Sequence, residues 1–429
     1  MVTSFTSWFS QSLRRFGDVR PRQLADEEKR SGAISSSPIE EMNALGSYAD
    51  LRIGPMALES SGNFATITHQ TIFQEKHRTV VERNFDGAVT TTEVYQARLG
   101  ELVTRLELSG STLQGIERRF SDPYVSYDPH HDICFSDAVM LVKQTDLSTV
   151  QADRVDPAAA GLLPYEFQAR LSKPDHFDLF PYHGWDLSAL LERLSAYDTL
   201  RIIAERPENL DLMIVWDFMD VVHGGYFSRE EFTVGSIGGS HLLVTEGTSD
   251  TEIIRHAFSV LRPDVADFFR YVDMEKNYPF GGHGDLLNFM KGLNSIGMAV
   301  GVLAIFDNDT AGLGSLRELA KIPDIKAVKL PDMAEFEAFS TIGPGGEQRA
   351  DINGRAAAIE CYLELPENYR IRWNNFDAKV GEYHGTIDQT RAEKSAQRDA
   401  FLKTAAGDPY PFEKIVTVLD VIVEACVAG

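Results

Sequence analysis

Acidic side chains follow two apolar runs near the middle of the chain, and residues of this type could support metal-dependent chemistry. The first run ends just before Glu246, and Asp250 lies four residues further on. The second ends directly before Asp307, and Asp309 lies two residues further on. Short continuous apolar runs are typical of strands buried on both faces of a sheet. The two segments read LLVTEG at 242–247 and AIFDNDTAG at 304–312.

The segments around these runs alternate between strand and helix patterns. Ser249 and Glu252 have capping-box spacing, and the helical pattern behind them stops at Pro263. An alternating order predicts a parallel sheet with helices on both faces, whose functional groups collect at the carboxyl ends of the strands, at the topological switch point. The other predicted elements are a strand at 268–275, a turn at Gly281, Gly282 and Gly284, a helix at 286–297, a strand at 325–330 and a helix beginning near Arg355.

In such a sheet, Glu246, Asp250, Asp307 and Asp309 should converge although the two pairs are far apart in sequence. Asp307 and Asp309 should point the same way from an extended segment, while Asn308 points the other way. Crowded carboxylates repel one another, and a divalent cation is the usual remedy. A site made only of carboxylates favours Mg²⁺ or Mn²⁺ over zinc. The pattern therefore predicts phosphate chemistry.

The two acidic motifs resemble the Toprim domain of topoisomerases, primases, recombination proteins and OLD-type nucleases. Over about residues 46–400, the chain more narrowly resembles bacterial HEPN/Toprim-associated proteins, in which an N-terminal domain precedes a Toprim domain. Five segments carry this resemblance: GSYADLRIG at 46–54, IVWDFMDVVHGG at 214–225, GGHG before a predicted helix, IFDNDTAG at 305–312 and GRAAAIECYLEL at 354–365.

The resemblance implies a role for each acidic residue. It makes Glu246 the general acid/base or a first metal ligand, and Asp250, Asp307 and Asp309 metal ligands. Glu360 matches an additional acidic ligand of OLD-type nucleases. The implied protein is a Mg²⁺- or Mn²⁺-dependent endonuclease that acts on nucleic acid, with DNA favoured over RNA, in bacterial anti-phage defence.

Other interpretations stay open. Either acidic motif alone is commonly a solvated turn, Glu360 could be an exposed helical residue, and Lys394 fits a charged helix face as well as a phosphate contact. A topoisomerase or a primase would need domains that the chain does not contain. A non-catalytic Toprim scaffold that binds nucleic acid within a defence complex is the main alternative. No Gly-x(4)-Gly-Lys-Ser/Thr loop occurs, so ATP control would come from a partner ATPase.

Four segments are expected along the chain. Residues 1–45 predict a mobile extension, with an amphipathic docking helix or a targeting peptide as alternatives for its first part. Residues 46–235 predict a mixed α+β HEPN/Toprim-associated domain, and residues 236–405 a Toprim domain. The apolar face of 406–429 predicts a closing helix that packs on the Toprim domain or on a dimer partner.

Within residues 46–235, ADLRIG and the alternating FATITHQTIF predict strands, and 188–205 predicts a helix. Arg170 and His176 have the spacing of a HEPN ribonuclease motif, but Leu171 and Pro174 argue against an active pair. Three residues are interpreted as packing and a domain joint: Trp216, Asp217 and Asp220.

Composition agrees with a globular, non-membrane protein. The 429 residues are 43% hydrophobic and 24% charged, and the formal net charge is −23. That charge opposes contact with a polyanion, so metal ions, local patches or a partner subunit would have to help. Cys134, Cys361 and Cys426 show no disulfide or metal-ligand spacing, which favours a reducing cytoplasm. No apolar stretch reaches the roughly 18 residues of a membrane span.

Overall fold

An antiparallel sheet forms the N-terminal region, defined as residues 48–234 of the computed structural model. Its strands are β1 (Tyr48–Ile53), β2 (Met56–Gly62), β3 (Arg78–Phe85), β4 (Ala88–Arg98) and β5 (Met213–Asp217). They lie in the order β2-β1-β5-β4-β3, so β5 pairs with both β1 and β4 and ties the end of the region to its beginning. The structure describes residues 48–53, 56–62, 68–85, 88–120, 135–144, 194–234, 239–272, 282–366, 368–377 and 382–428.

Helices cover the apolar face of this sheet. They are α1 (Leu99–Leu108), α2 (Leu113–Phe120), α3 (Phe135–Gln144), α4 (Ala196–Ile203) and α5 (Met219–His223). Ser195 caps α4 by accepting the backbone N–H of Asp198 at 3.1 Å. Trp216 is fully buried between the rings of Tyr95 and Phe218, so its interpretation as a packing residue agrees with the structure.

One predicted strand in this region is wrong in its described part. Of the FATITHQTIF segment, residues 68–73 form a turn, with Ile72 and Phe73 buried. The carbonyls of Thr71 and Phe73 accept hydrogen bonds from Arg105 instead of from a neighbouring strand. Several other predictions lie outside the described residues: the 1–45 extension, the Arg170 and His176 pair, the first part of the 188–205 helix, Gly281 and Cys134.

The C-terminal region, residues 239–428, is built on the predicted parallel sheet. It contains β6 (His241–Thr245), β7 (Phe269–Tyr271), β8 (Val302–Phe306), β9 (Asn308–Asp309) and β10 (Lys326–Lys329). Four of these form the sheet in the order β10-β8-β6-β7, with every neighbouring pair parallel. Because β6 leads to β7 on one side and the chain then crosses to β8 on the other, the switch point lies between β6 and β8.

Helices bury both faces of this sheet. They are α6 (Thr248–Leu261), α7 (His283–Ser295), α8 (Thr310–Leu319), α9 (Arg391–Phe401) and α10 (Glu413–Val427). Ile305 packs in one core with α6 and α10, and Phe306 packs in another with α7 and α8, as the alternation of side chains along a strand requires. The closing helix therefore packs on this region. The predicted strand at 298–306 begins only at Val302, because Met298 and Val300 are exposed.

A second antiparallel element follows, which the sequence did not predict. Its strands are β11 (Phe339–Gly343), β12 (Gly346–Ala350), β13 (Ala356–Ala357), β14 (Ile371–Asp377) and β15 (Glu382–Ile387). Four form a sheet in the order β12-β11-β14-β15, and β13 pairs with β9. The helix expected near Arg355 is therefore wrong. Gly354 has a φ of 68°, which no helix accepts, and the next residues pair with β9 before a short 3₁₀ turn.

A buried arginine joins the two regions, which belong to one compact unit spanning residues 46–429. Arg105 of α1 is 1% exposed and donates to both carboxylate oxygens of Asp267 at 2.7 and 2.9 Å. It also donates to the carbonyl of Asp264 at 2.7 Å and lies over the ring of Phe268. Nearby, His241 bonds the carbonyl of Leu108. The joint is thus carried by α1 rather than by the expected residues around Trp216.

Two further expectations concern thiols and membranes. Cys361 and Cys426 are free and buried. None of the helices in the described part of the chain combines the length and apolar character needed to cross a bilayer.

Candidate functional site

Glu246 lies directly after β6, at the switch point of the parallel sheet. Its Oε1 accepts the backbone N–H of Asp307 at 3.0 Å, which links the ends of β6 and β8. The backbone N–H of His283, the first residue of α7, also donates to this carboxylate. The structure therefore brings Glu246 and Asp307 together. It also adds the N-terminus of α7, whose partial positive charge favours an anion there.

Asp250 lies in the first turn of α6 and caps it. Its carboxylate accepts the backbone N–H of Gly247 at 2.9 Å and the hydroxyl of Ser249 at 3.3 Å. The predicted capping box of Ser249 with Glu252 is therefore wrong, since the helix begins at Thr248 and Asp250 takes the capping role. Glu252 is instead paired with Arg398 of α9 at 3.2 Å.

Asp307 and Asp309 leave the end of β8 together, and each has a backbone contact. Asp309 accepts the N–H of Gly312 at 2.6 Å and so caps α8. Gly312 lies so close to the carbonyl of Asp307 that a Cβ built on it would be 2.4 Å from that oxygen. The glycine is thus required for α8 to begin against the acidic motif, a contact that spacing in the sequence does not reveal.

Asn308, between the two aspartates, turns away from them into a buried polar network. Its Oδ1 accepts from the amine of Lys329 at 3.0 Å and from the backbone N–H of Gly354 at 2.8 Å. Its Nδ2 donates to the carbonyl of Pro331 at 3.2 Å and to Asp332 at 3.0 Å. The fully buried amide therefore fixes the turn that presents both aspartates.

Glu360 lies in the 3₁₀ turn Ile359–Tyr362 rather than in the predicted helix. Its carbonyl accepts the side-chain amide of Gln397 at 3.1 Å, so α9 packs on this turn. Lys394 precedes Gln397 by three residues and lies on the same side of α9. The charge of Glu360 acts on Asp250 and Asp307, which places it in the same electrostatic group.

The acidic side chains raise one another's pKa. Burial raises the pKa of Glu246 to about 7, and the charges of Asp309 and Asp250 add to the shift. Burial also raises the pKa of Asp250 to about 7, with Glu360 as the next cause. For Asp307 the pKa lies well above the usual range, because burial and all four neighbouring carboxylates oppose its ionisation. Perturbed carboxylates in a cleft are typical of functional sites.

The donors of this acidic group fit a hard cation by their chemistry. All are carboxylates, the ligands that Mg²⁺ and Mn²⁺ prefer, and every member remains partly open to solvent. Within the described residues, however, no three histidine, cysteine or acidic side chains are arranged closely enough to hold a metal ion. The group is crowded electrostatically without forming a closed cage, as expected where like charges repel.

Comparison with known proteins concerns the N-terminal region. Residues 45–239 match the family model of HEPN/Toprim N-terminal domain 1, a range that contains all five strands of the first sheet. No curated protein and no solved structure matches the chain. The family match agrees with the resemblance carried by GSYADLRIG and IVWDFMDVVHGG, both of which lie inside it. The chain is therefore a HEPN/Toprim-associated domain protein.

Proposed function

We propose that this protein is a metal-dependent nuclease that hydrolyses phosphodiester bonds of nucleic acid, and that its C-terminal region is a Toprim domain. One observation carries the proposal. Glu246, Asp250, Asp307, Asp309 and Glu360 form one electrostatic group at the switch point of a parallel sheet. Uncompensated carboxylates at that place are destabilising unless they serve chemistry, because each raises the energy of its neighbours' charged forms.

These five carboxylates would hold Mg²⁺ or Mn²⁺. A divalent cation at such a site supplies a water molecule of lowered pKa and neutralises charge that develops on a phosphate. Their own contribution is to balance that charge, and ionisation of Glu246 or Asp250 near a pKa of about 7 lies within the physiological range.

Glu246 is the residue best placed to move a proton. A pKa of about 7 lets a carboxylate accept a proton from an attacking water and release it again at neutral pH. The backbone N–H groups of Asp307 and His283 hold its oxygens in place. Asp309 and Asp250 are fixed by their capping bonds to α8 and α6, so their carboxylates are oriented before substrate arrives.

The biological role follows by association with the family. HEPN/Toprim-associated proteins suggest a nuclease-linked setting. We propose anti-phage defence in the bacterial cytoplasm, with DNA favoured over RNA as substrate and control by a partner ATPase or sensor protein.

A cleavage screen tests the nuclease directly. Purified protein is incubated with supercoiled plasmid, linear duplex, single-stranded DNA, tRNA and total RNA, each with Mg²⁺, Mn²⁺ or EDTA. Cleavage should need the metal and should disappear in Asp307→Asn and in Glu246→Gln. Glu337→Gln, which changes an exposed carboxylate outside the acidic group, is the matched control and should cleave normally. Wild-type protein that binds neither metal by calorimetry, together with active Asp307→Asn, would refute the proposal.

A non-catalytic scaffold is the second candidate. The formal net charge of −23 and the open arrangement of the acidic group favour it. A scaffold would bind nucleic acid or a partner without metal-dependent cleavage, and Glu246→Gln would leave its binding unchanged. The same screen, run beside a binding assay, therefore separates the two functions.

A further inference from the structure

An exposed aromatic pair lies on the hairpin formed by β14 and β15. Phe376 is 55% exposed and Tyr383 is 44% exposed. Their ring centroids are 5.1 Å apart and the rings meet at 63°. An exposed cluster of large apolar side chains is more informative than a single exposed one, because folding alone does not require it.

The strand register shows which face carries this pair. Trp373 pairs with Gly385, and Phe376 pairs with Tyr383 after a bulge in β14. A Cβ built on Gly385 would lie 2.7 Å from the Cβ of Ala356 and 3.0 Å from the indole of Trp373, so this face of β15 packs on β13. Side chains two residues apart in a strand share a face. Tyr383 therefore continues, into solvent, the face that rests on β13.

That face leads to the acidic group. Ala356 of β13 is the antiparallel partner of Asp309. Paired strands lie about 5 Å apart and each strand residue advances about 3.4 Å, so the Cα of Tyr383 lies within about 18 Å of the Cα of Asp309. Phosphates on one strand of B-form DNA follow every 3.4 Å or so along the axis, and the aromatic pair is thus within about five nucleotides of the acidic group.

The charge of the chain indicates how nucleic acid could be held there. With a formal net charge of −23, the molecule gains little from long-range attraction to phosphates. Base stacking on aromatic rings contributes about 1–3 kcal/mol per base and needs no positive charge. Exposed rings beside an acidic site therefore offer a contact with bases instead of the backbone.

We propose that Phe376 and Tyr383 form a stacking platform for an unpaired base of the strand that lies in the acidic group. The inference rests on the proposed nuclease function and specifies its substrate. Bases inside a duplex are stacked on one another and cannot reach the platform without being extruded. The preferred substrate is a single strand, or a duplex with a frayed or unpaired segment within about five nucleotides of the cleaved bond.

Binding of a short single-stranded DNA tests the platform apart from cleavage. The strand carries 2-aminopurine, whose fluorescence reports stacking, and the protein carries Asp307→Asn so that the strand stays intact. Phe376→Ala and Tyr383→Ala should each weaken binding by about 5- to 100-fold and abolish the 2-aminopurine response. Tyr383→Phe keeps a ring and should bind normally. Tyr226→Ala is the matched control, because Tyr226 is a similarly exposed tyrosine (46%) in the N-terminal region.

The outcomes separate this inference from the proposed function. Unchanged binding by the Phe376→Ala, Tyr383→Ala double variant, beside normal binding by the protein with both rings, would overturn the platform alone. Normal binding by Phe376→Leu and Tyr383→Leu would also overturn it, because the surface would then act as an apolar contact and not through stacking. If the wild-type chain, in EDTA, binds no nucleic acid of any kind, the platform and the proposed nuclease fail together.

Discussion

At the scale of single residues, Asp307 carries the largest electrostatic conflict in the molecule's acidic group. Its carboxylate is opposed by the charges of Asp250, Glu246, Asp309 and Glu360, and its pKa is raised well above the usual range. Its backbone N–H, in contrast, holds Glu246. The backbone thus organises the acidic group while the side chain destabilises it, which is the arrangement expected of a residue kept for its charge.

Replacing Asp307 by asparagine should therefore separate function from stability. Asp307→Asn keeps the shape and the backbone bond and removes one repelled charge, so the metal-free protein should melt a few degrees higher than wild type. Differential scanning fluorimetry in EDTA at mildly alkaline pH measures this, with Glu337→Gln as the control. A lower melting temperature than wild type would show that the carboxylate of Asp307 makes a stabilising contact and is not repelled.

At the scale of elements, the start of α8 depends on the close approach of Gly312 to the acidic motif. A Cβ at this position would lie 2.4 Å from the carbonyl oxygen of Asp307 and 3.2 Å from Oδ1 of Asp309. A backbone carbonyl cannot move aside as a flexible side chain can. Any side chain at position 312 must therefore shift the helix away from β8.

The comparison of Gly312→Ala with Gly314→Ala tests this contact within one helix. Gly312→Ala should lower the unfolding free energy by about 1–3 kcal/mol and impair cleavage, because it displaces Asp307 and Asp309. Nothing lies within 4 Å of a Cβ at Gly314, so Gly314→Ala should be neutral or raise stability by up to about 1 kcal/mol. Urea denaturation measures both. Equal effects of the two substitutions would contradict the close-contact explanation.

Local periodicity predicted the elements whose neighbours follow in sequence order. The parallel strands β6, β8 and β10 and the helices α7 and α10 agree with the apolar patterns that indicated them. Residues 356–362 were mispredicted as helix because their conformation is set by a distant partner, β9, and by the φ of Gly354. The same dependence on non-local pairing explains why the sheet of β11, β12, β14 and β15 was not predicted.

The candidate site shows the same division. The positions of Glu246 and Asp307 after two apolar runs were enough to predict that they meet, because parallel strands end at one edge. The network around Asn308 and the bond from His283 to Glu246 join segments that are remote in sequence. No spacing rule contains such contacts, so only the folded chain reveals them.

At the scale of the whole molecule, Arg105 links the N-terminal region to the C-terminal region. Arg105→Met should lower the unfolding free energy by about 3–5 kcal/mol, because it leaves Asp267 and several carbonyls without their partner. The double variant Arg105→Met, Asp267→Leu should recover part of that loss, since it removes the unpaired charge. Arg98→Ala is the control: Arg98 forms an exposed ion pair with Asp211, worth at most about 1 kcal/mol. Urea denaturation measures all three, and equal effects of Arg105→Met and Arg98→Ala would contradict a buried joint.

The two regions should also respond to acid in opposite directions. Burial lowers the pKa of His69 and of His77 to about 4, below the ordinary value near 6.5. Unfolded chains therefore take up protons before folded ones, and the N-terminal region should lose stability as the pH falls from about 6.5 to about 4. In the metal-free C-terminal region, Glu246 and Asp250 have pKa values raised to about 7. Their folded forms bind protons more tightly than the unfolded chain, so this region should gain stability as the pH falls through about 7.

Hydrogen exchange followed by mass spectrometry, corrected for the intrinsic pH dependence of exchange, can read each region separately. In EDTA, amides of β4 and β5 should lose protection as the pH is lowered from about 7 to about 5, while amides of β6 and β8 should gain it. Adding Mg²⁺ should raise protection of β6 and β8 at neutral pH and so flatten their pH dependence, because a cation that binds the ionised carboxylates favours the charged form. His69→Gln and His77→Gln should reduce the acid sensitivity of β4 and β5 and leave β6 and β8 unaffected. Protection that falls together in both regions on acidification would show that the carboxylates at the end of β6 and β8 are not repelled, and would remove the electrostatic basis for a metal at that site.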